Sequence, residues 1–460
     1  MKKLLFLFLL IGLLSSCEED FLELTPESQP NVNDFYKTSN DILNGVNAAY
    51  AGLQSGSLYG GRSLQDMTEY RGDNIFDNDP SAGAGLRFNI DQFLAGSENA
   101  VYEEVWRTLY QVIYRCNIVL DNIDNVPMND ALKNRSKGEV RFIRGLCYFH
   151  LVQLWGGVPL VLQTQTTDES RTNIRNTPAE VYAAIEADLQ FAGTNLPRTY
   201  AAAEVGRATS GAAKGLLGKV YLTQKKYAQA VTTLREVVSS NDFMLLPMVA
   251  QVFAPTNEYN REILFAVRFT AANPREAHGL YYASAIGDYV EPSLRSLYAT
   301  NDARRALLEL RKPTGSSAQT VVKFYEDPNA ANQVGTDFPV LRYADVLLML
   351  AEALNEQGYQ ATGEALTSLN AVRTRAGLPA YTATDLPDQA AFRNAVLLER
   401  RLELPLELHR WYDLLRTGQA IEAMKVVKLN IQPFQLLFPI PNSQVQIYNN
   451  PTGFPQNPGY

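Results

Sequence analysis

Apolar positions recur at helical spacing through most of the chain. Between Asp34 and Gln54 they fall at Phe35, Ile42, Val46, Ala49 and Leu53. That period gives a helix with one buried face. Asn99 to Ile123 repeats it through Val105, Leu109, Val112, Ile113, Cys116 and Leu120, and Leu132 to Leu154 through Val140, Ile143, Leu146, Cys147 and Leu151. Trp155-Gly156-Gly157-Val158-Pro159 then stops the helix, because Gly and Pro punctuate helical runs. Pro178 to Leu189 predicts a further helix, with Pro early and Thr177 as its cap. Trp106, Trp155 and Trp411 lie in helices or at helix ends and read as core.

From Ser210 to Ser240 the spacing carries more information. Gly218, Tyr221, Tyr227, Ala230 and Leu234 stand where a tetratricopeptide helix pair needs small residues for close approach and larger ones to fill the groove. Ala351, Leu354, Gly358, Ala365 and Leu369 follow the same pattern if about two residues are inserted after Gly358. One such pair cannot bury its apolar face alone, so the pairs must stack. Two stretches break the rhythm. Residues 58–97 are rich in Gly, Asn and Asp, and residues 242–332 mix Pro, Asn and Tyr with β-prone runs such as Ile263-Leu264-Phe265-Ala266-Val267. Long irregular segments on a rigid frame are usually functional or disordered, and their aromatic content argues for order.

The first residues read as an address. Lys2 and Lys3 precede an apolar run from Leu4 to Leu14, followed by Leu14-Ser15-Ser16-Cys17. The run is too short to span a bilayer, which takes about 20 apolar residues, and fits a secretory signal core. The order of features resembles a bacterial lipobox, which implies cleavage before Cys17 and acylation of that residue. Residues 1–16 are then the signal peptide, 17–33 the lipidated tether and 34–460 the folded domain. An ordinary signal peptide with an incidental Cys is the alternative. More than one acyl chain gives a stable membrane anchor. Glu18, Glu19 and Asp20 follow at once. They resemble the surface-export signal of Bacteroidetes lipoproteins, or else form a solvated linker.

Composition narrows the function. The net charge of −8 moves to about −10 once Lys2 and Lys3 are removed. Such an acidic body lacks the basic footprint that nucleic acid requires. Cys116 and Cys147 sit on predicted helices and read as buried thiols, with a disulfide left open. No Ser nucleophile elbow, phosphate loop or dinucleotide fingerprint occurs. His150, His278 and His409 lack paired metal-ligand spacing, so no cofactor is expected. Asp73, Asp77 and Asp79 crowd one stretch with Asn74 and Asn78. They fail the EF-hand spacing, and a structural calcium there is the lesser reading.

Several runs, in order, resemble the SusD/RagB family across nearly all of the chain beyond Cys17. They are Arg141-Phe142-Ile143-Arg144-Gly145 leading to Trp155-Gly156-Gly157-Val158-Pro159-Leu160, the helix from Ala212 to Tyr227, and Pro339 to Leu348 running on to Ala351-Glu352-Ala353. Leu369 to Leu378, Glu399 to Leu404 and His409 to Arg416 follow, then Leu437-Phe438-Pro439-Ile440-Pro441 and Gln456-Asn457-Pro458-Gly459-Tyr460. The resemblance implies a mainly α fold, with tetratricopeptide-type helix pairs on one side and a looped ligand-facing side with minor β structure. It also implies an outer-membrane lipoprotein, facing the cell exterior, that binds oligo- or polysaccharide without chemistry. Such a protein hands its ligand to a SusC-like TonB-dependent transporter. A peptide-binding member of the family, a surface glycan hydrolase and a protein-only helical scaffold are the rival functions.

Two groups of residues suit a sugar. A pyranose offers an apolar face to aromatic rings and a rim of hydroxyls to Asp, Asn and Arg. Tyr70, Arg71, Asp73, Asn74 and Phe76 lie together in one irregular segment. Tyr281, Tyr282, Asp288 and Tyr289 lie in the other, and the two segments are expected to converge. In contrast, Glu399, Glu403, Glu407, His409 and Asp413 are interleaved with Arg400, Arg401, Arg410 and Arg416. Alternating charges of this kind are expected to form a structural ion-pair network rather than an active site. Paired carboxylates for glycoside cleavage are not excluded, because their separation is spatial.

Overall fold

The computed structural model describes residues 35–278, 289–312, 314, 319–331, 333–427 and 430–460. The predicted signal peptide, Cys17 and the tether lie outside them, as do Tyr281, Tyr282 and Asp288. No helix among the described residues is long and apolar enough to cross a membrane.

Helices dominate. The main ones are α1 (Ser39–Leu53), α2 (Ser63–Glu69), α3 (Ala100–Asn122), α4 (Asp130–Trp155), α5 (Pro178–Asn195), α6 (Ser210–Thr223), α7 (Tyr227–Ser239), α8 (Tyr343–Gln357), α9 (Glu364–Arg375), α10 (Gln389–Glu403), α11 (Arg410–Thr417) and α12 (Asn442–Tyr448). Helix starts carry side-chain caps that satisfy orphan backbone N–H groups. Two expected starts, Asn99 and Thr177, are themselves caps, whereas the helices expected from Asp34 and Leu132 are capped at Thr38 and Asn129. Asn99 caps α3 and Asn129 caps α4. Thr177 and Glu180 cap α5 reciprocally. α4 stops at Gly156, whose φ of +74° suits glycine. Gly157 must also stay small, since a Cβ there would lie 2.5 Å from the Asn176 carbonyl.

The long helices pack in succession along the chain: α1 on α3, α3 on α4, α4 on α5, α5 on α6, α6 on α7, α7 on α8, and α8 on both α9 and α10. This is the stacking that the repeat spacing requires. At the α6–α7 contact a Cβ on Gly218 would fall 2.4 Å from Leu234 Cδ2, so the small residue sets the helix separation. The second copy differs at its glycine. Gly358 ends α8 and a Cβ there would meet nothing, so it links the pair rather than packing it. Ala351, Ala365 and Leu369 are nonetheless buried in one cluster. A single larger core runs from Ile42 to Phe454 and includes Trp106, Trp155 and Trp411.

Three antiparallel two-stranded sheets occur among the described residues. β1 (Ile75–Phe76) pairs with β3 (Tyr289–Val290), β2 (Ile263–Val267) with β6 (Phe338–Arg342), and β4 (Leu310–Arg311) with β5 (Thr320–Val321). The β-prone run at 263–267 is thus a strand, fully buried. It lies against α6 at Gly215, where a Cβ would come within 2.9 Å of Leu264 and 2.7 Å of Leu341. Residues 58–97 carry more helix than their composition suggests, including α2 and Leu86–Asp91. Cys116 and Cys147 are both buried and free. The C-terminal segment straps the frame. Trp155 Nε1–H donates to the Pro439 carbonyl at 3.0 Å, and the Asn457 amide donates to the carbonyls of Trp155 and Phe438.

Candidate functional site

β1 and β3 join the two irregular segments that carry the sugar-compatible residues. Ile75 faces Val290 and Phe76 faces Tyr289 in register. Ile75 and Val290 are buried. Side chains alternate along a strand, so Phe76 and Tyr289 turn to the other face, where both are half-buried. Their ring centroids are 5.7 Å apart and the planes are tilted by 31°. The pair forms an aromatic ledge. It offers an apolar surface for C–H groups and a phenol for hydrogen bonding.

Beneath the ledge the chain is locked by charge. The Asp73 carboxylate accepts two hydrogen bonds from Arg410, at 2.6 and 2.8 Å, and pairs with Arg401 at 3.0 Å. Arg401 also donates to the Asp73 carbonyl at 2.6 Å and to Asn74 Oδ1 at 3.2 Å. Burial pushes the Asp73 pKa upward, but Arg410 and Arg401 outweigh it and hold the carboxyl below its ordinary value. The Glu291 N–H donates to the Asn74 carbonyl at 2.8 Å, which extends the β1–β3 pairing. Arg71 lies between the rings of Phe93 and Phe438, 4.2 and 4.3 Å from their centroids, and donates to the Gln435 carbonyl. The Tyr70 hydroxyl accepts from Arg62 at 3.2 Å.

These contacts correct four expected ligand residues. Tyr70, Arg71, Asp73 and Asn74 are each at most 3% exposed. Apart from Arg71 Nε and Asn74 Nδ2, which have no hydrogen-bond partner among the described residues, the polar groups described are engaged within the protein, and these residues support the ledge instead of lining it. Asp73, Asp77 and Asp79 do not converge on an ion either. Arg410 and Arg401 occupy Asp73, Arg87 lies 3.6 Å from Asp77, and Asp79 accepts from Ser81. Among the described residues no group of three or more potential ligands is placed to hold a metal. Sequence reasoning did not identify Arg401 and Arg410 as the clamp on Asp73. They stood out in a charged run, but their partner lies far away in the chain, where spacing gives no signal.

The rest of that run forms a buried network. α10 ends at Glu403, and Leu406 and Leu408 take positive φ values. The turn brings Glu407 back onto Arg342 at 2.6 and 2.8 Å and onto Lys323 at 2.6 Å. Arg342 also reaches Glu262 and Glu403 at 2.8 and 3.1 Å. Arg304 holds Asp302, Glu399 and Glu403. Arg400 joins Asp345 to Asp413, and Arg416 joins Asp413 to Glu352. Each carboxylate has a cation against it, so the run fixes the irregular segments to α8, α10 and α11. The histidines are dispersed. His150 lies between the hydroxyls of Tyr59 and Tyr412 at 2.7 and 3.0 Å, His278 faces the Thr336 carbonyl, and His409 sits 2.9 Å from Lys219 Nζ.

Comparisons with known proteins agree with this architecture. Residues 295–460 match the family model described as SusD family. Residues 20–222 match one described as starch-binding associating with outer membrane. SusD-like protein P25 of Formosa agariphila is 28% identical, with 94% of each chain aligned. SusD-like protein P2 of the same organism is 29% identical over 100% of this chain and 99% of its own. Among solved structures, a laminarin-binding SusD-like protein is 27% identical with a TM-score of 0.78, covering 92% of this chain and 100% of the other. Surface glycan-binding protein A of Bacteroides thetaiotaomicron, in complex with laminarihexaose, shares the fold at 20% identity. Its TM-score is 0.76 over 92% of this chain and 100% of its own. With family matches at both ends and SusD-like relatives aligned along nearly its whole length, this chain belongs to the SusD/RagB family.

Proposed function

We propose that this protein captures a neutral oligo- or polysaccharide at the outer membrane and passes it to a SusC-like TonB-dependent transporter, without cleaving it. The observation that carries this reading is the Phe76–Tyr289 ledge at the junction of the two irregular segments. Paired aromatic rings take up the C–H face of a pyranose, and a rigid base keeps them in place before the ligand arrives. Similarity to a laminarin-binding protein supports the ligand class. The acids of the 399–413 run are bound to arginines and a lysine, which leaves them unsuited to proton transfer.

Acylation at Cys17 anchors the body to the membrane, and Glu18, Glu19 and Asp20, acting as a surface-export signal, face it to the cell exterior. Holding the ligand there raises its effective concentration at the transporter mouth. Isothermal titration of the full-length lipoprotein against a panel of neutral glycans tests the proposal. Binding of at least one glycan is expected, weakened by Phe76→Ala with Tyr289→Ala. No heat with any glycan would overturn it. Mass spectrometry of the intact mature chain tests the anchor. The expected product begins at an acylated Cys17, and an unmodified thiol there would contradict it.

A further inference from the structure

The outer face of α3 carries a second aromatic surface that shares no residue with the ledge. Together with residues 161–173 and α12 it bounds a groove of about 510 Å³, within the size range of small-ligand sites. Trp106, Tyr110 and Tyr114 follow one another at intervals of four along α3, which places them on one helical face. Trp106 is nearly buried and forms the floor, with Tyr110 tilted against it at 5.2 Å between centroids. Tyr114, one turn on, is 49% exposed. Tyr448 of α12 completes the lining and is held by stacking on Phe454, centroids 4.0 Å apart.

The polar lining identifies the ligand class. It holds one acid, Glu103, and one base, Arg107. A phosphate or an acidic peptide would need a surplus of cations, which the groove lacks. Carboxamides dominate instead. Gln165 and Asn173 hydrogen-bond each other reciprocally at 3.1 and 2.8 Å, and Gln444 is oriented by Glu103 at 3.1 Å. Gln111 and Gln163 stand exposed at the rim. A carboxamide both donates and accepts, which suits adjacent hydroxyls, whereas a lipid chain gains nothing from such a rim.

We propose that this groove is a second oligosaccharide-binding site, independent of the Phe76–Tyr289 ledge. It rests on the same ligand class as the proposed function but on different residues. A polymer long enough to reach both sites would be held with avidity beyond that of either alone.

The test is calorimetric titration of the full-length lipoprotein, in a detergent without a sugar headgroup, with laminarihexaose, cellohexaose, maltohexaose, xylohexaose and mannohexaose. In the Phe76→Ala/Tyr289→Ala background a hexaose should still bind. Adding Tyr114→Ala should weaken that remaining binding about tenfold, the scale of one aromatic contact. Gln111→Ala/Gln163→Ala, which touches only exposed side chains, gives a second route should Tyr114→Ala disturb the fold. Binding abolished by the ledge substitutions alone would overturn the groove and leave the proposed function standing. Binding lost only with Tyr114→Ala would support the groove and remove the ledge. Unchanged titrations in every variant would overturn both sites, and no binding by the native protein would overturn the proposed function with them.

Discussion

Arg342 shows what single residues contribute to this fold. It is fully buried and reaches Glu262, Glu403 and Glu407. Removing one member of a buried charge network leaves its partners uncompensated, which costs about 3–5 kcal/mol. Arg342→Ala should therefore lower the urea midpoint sharply, and an unchanged midpoint would show that the network is dispensable. The same network sets the response to acid. Burial raises the Glu403 carboxyl's pKa, but Arg375, Arg342 and Arg304 outweigh it and bring it down to about 2, against 4.5 for an ordinary glutamate. Its contribution to stability is complete above 4.5 and is lost as the pH falls toward 2. Burial lowers His150 and His409 from 6.5 to about 3, so the fold favours their neutral forms, and that contribution also disappears on acidification. Glu69 works in the opposite sense. Burial pushes its pKa up to about 7, and its contribution is lost as the pH rises through that value. Burial raises Glu258 and Asp337 likewise, to about 7 and about 6. Around Asp345, Glu407 and Asp413, however, the cations outweigh burial and hold those carboxyls below their ordinary values, as they do Glu403. The lowered groups prevail, and the balance is a net loss in acid. The urea midpoint should fall between pH 6.5 and 3, and a flat profile there would contradict the assignment.

The elements show why some parts of the fold were legible in the sequence and others were not. Helix starts were readable because a cap is a local event. Thr177 and Glu180, three residues apart, satisfy each other's backbone at the head of α5. Thr177→Ala should destabilise the protein by about 1 kcal/mol, read from the shift in urea midpoint. Gly218 was readable for a similar reason, since a small residue at that spacing implies a close helix partner. Gly218→Ala would place a Cβ 2.4 Å from Leu234 Cδ2. The overpacking should cost about 1–3 kcal/mol, and Leu234→Ala in the same chain should recover part of it. The candidate site was only half legible. Two segments were expected to converge, and β1 and β3 join them. Which side chains face outward was not visible, because Tyr, Arg and Asp serve equally well as a ligand surface or as a buried clamp. Tyr70 and Arg71 turned inward because Phe93 and Phe438 provide a sandwich for the guanidinium, and those rings are distant in sequence. Along α3, the periodicity that marks Trp106 as core also places Tyr110 and Tyr114 in the groove, and spacing alone does not separate a floor from a wall.

At the scale of the whole molecule, division of labour follows from these parts. Stacked helix pairs form a frame whose packed neighbours follow one another closely along the chain. The buried charge network and the C-terminal strap fix less regular segments to that frame. A frame of this kind presents preformed surfaces and limits the ordering cost of binding. On the function proposed, such a surface holds glycan and leaves it whole. Equilibrium dialysis of the full-length protein against a fluorescently labelled hexaose from the calorimetric panel, followed by chromatography of the recovered sugar, tests both halves of that claim. The label should be retained on the protein side, with every recovered molecule still a hexaose. Equal label on both sides, or recovery of shorter sugars, would contradict it.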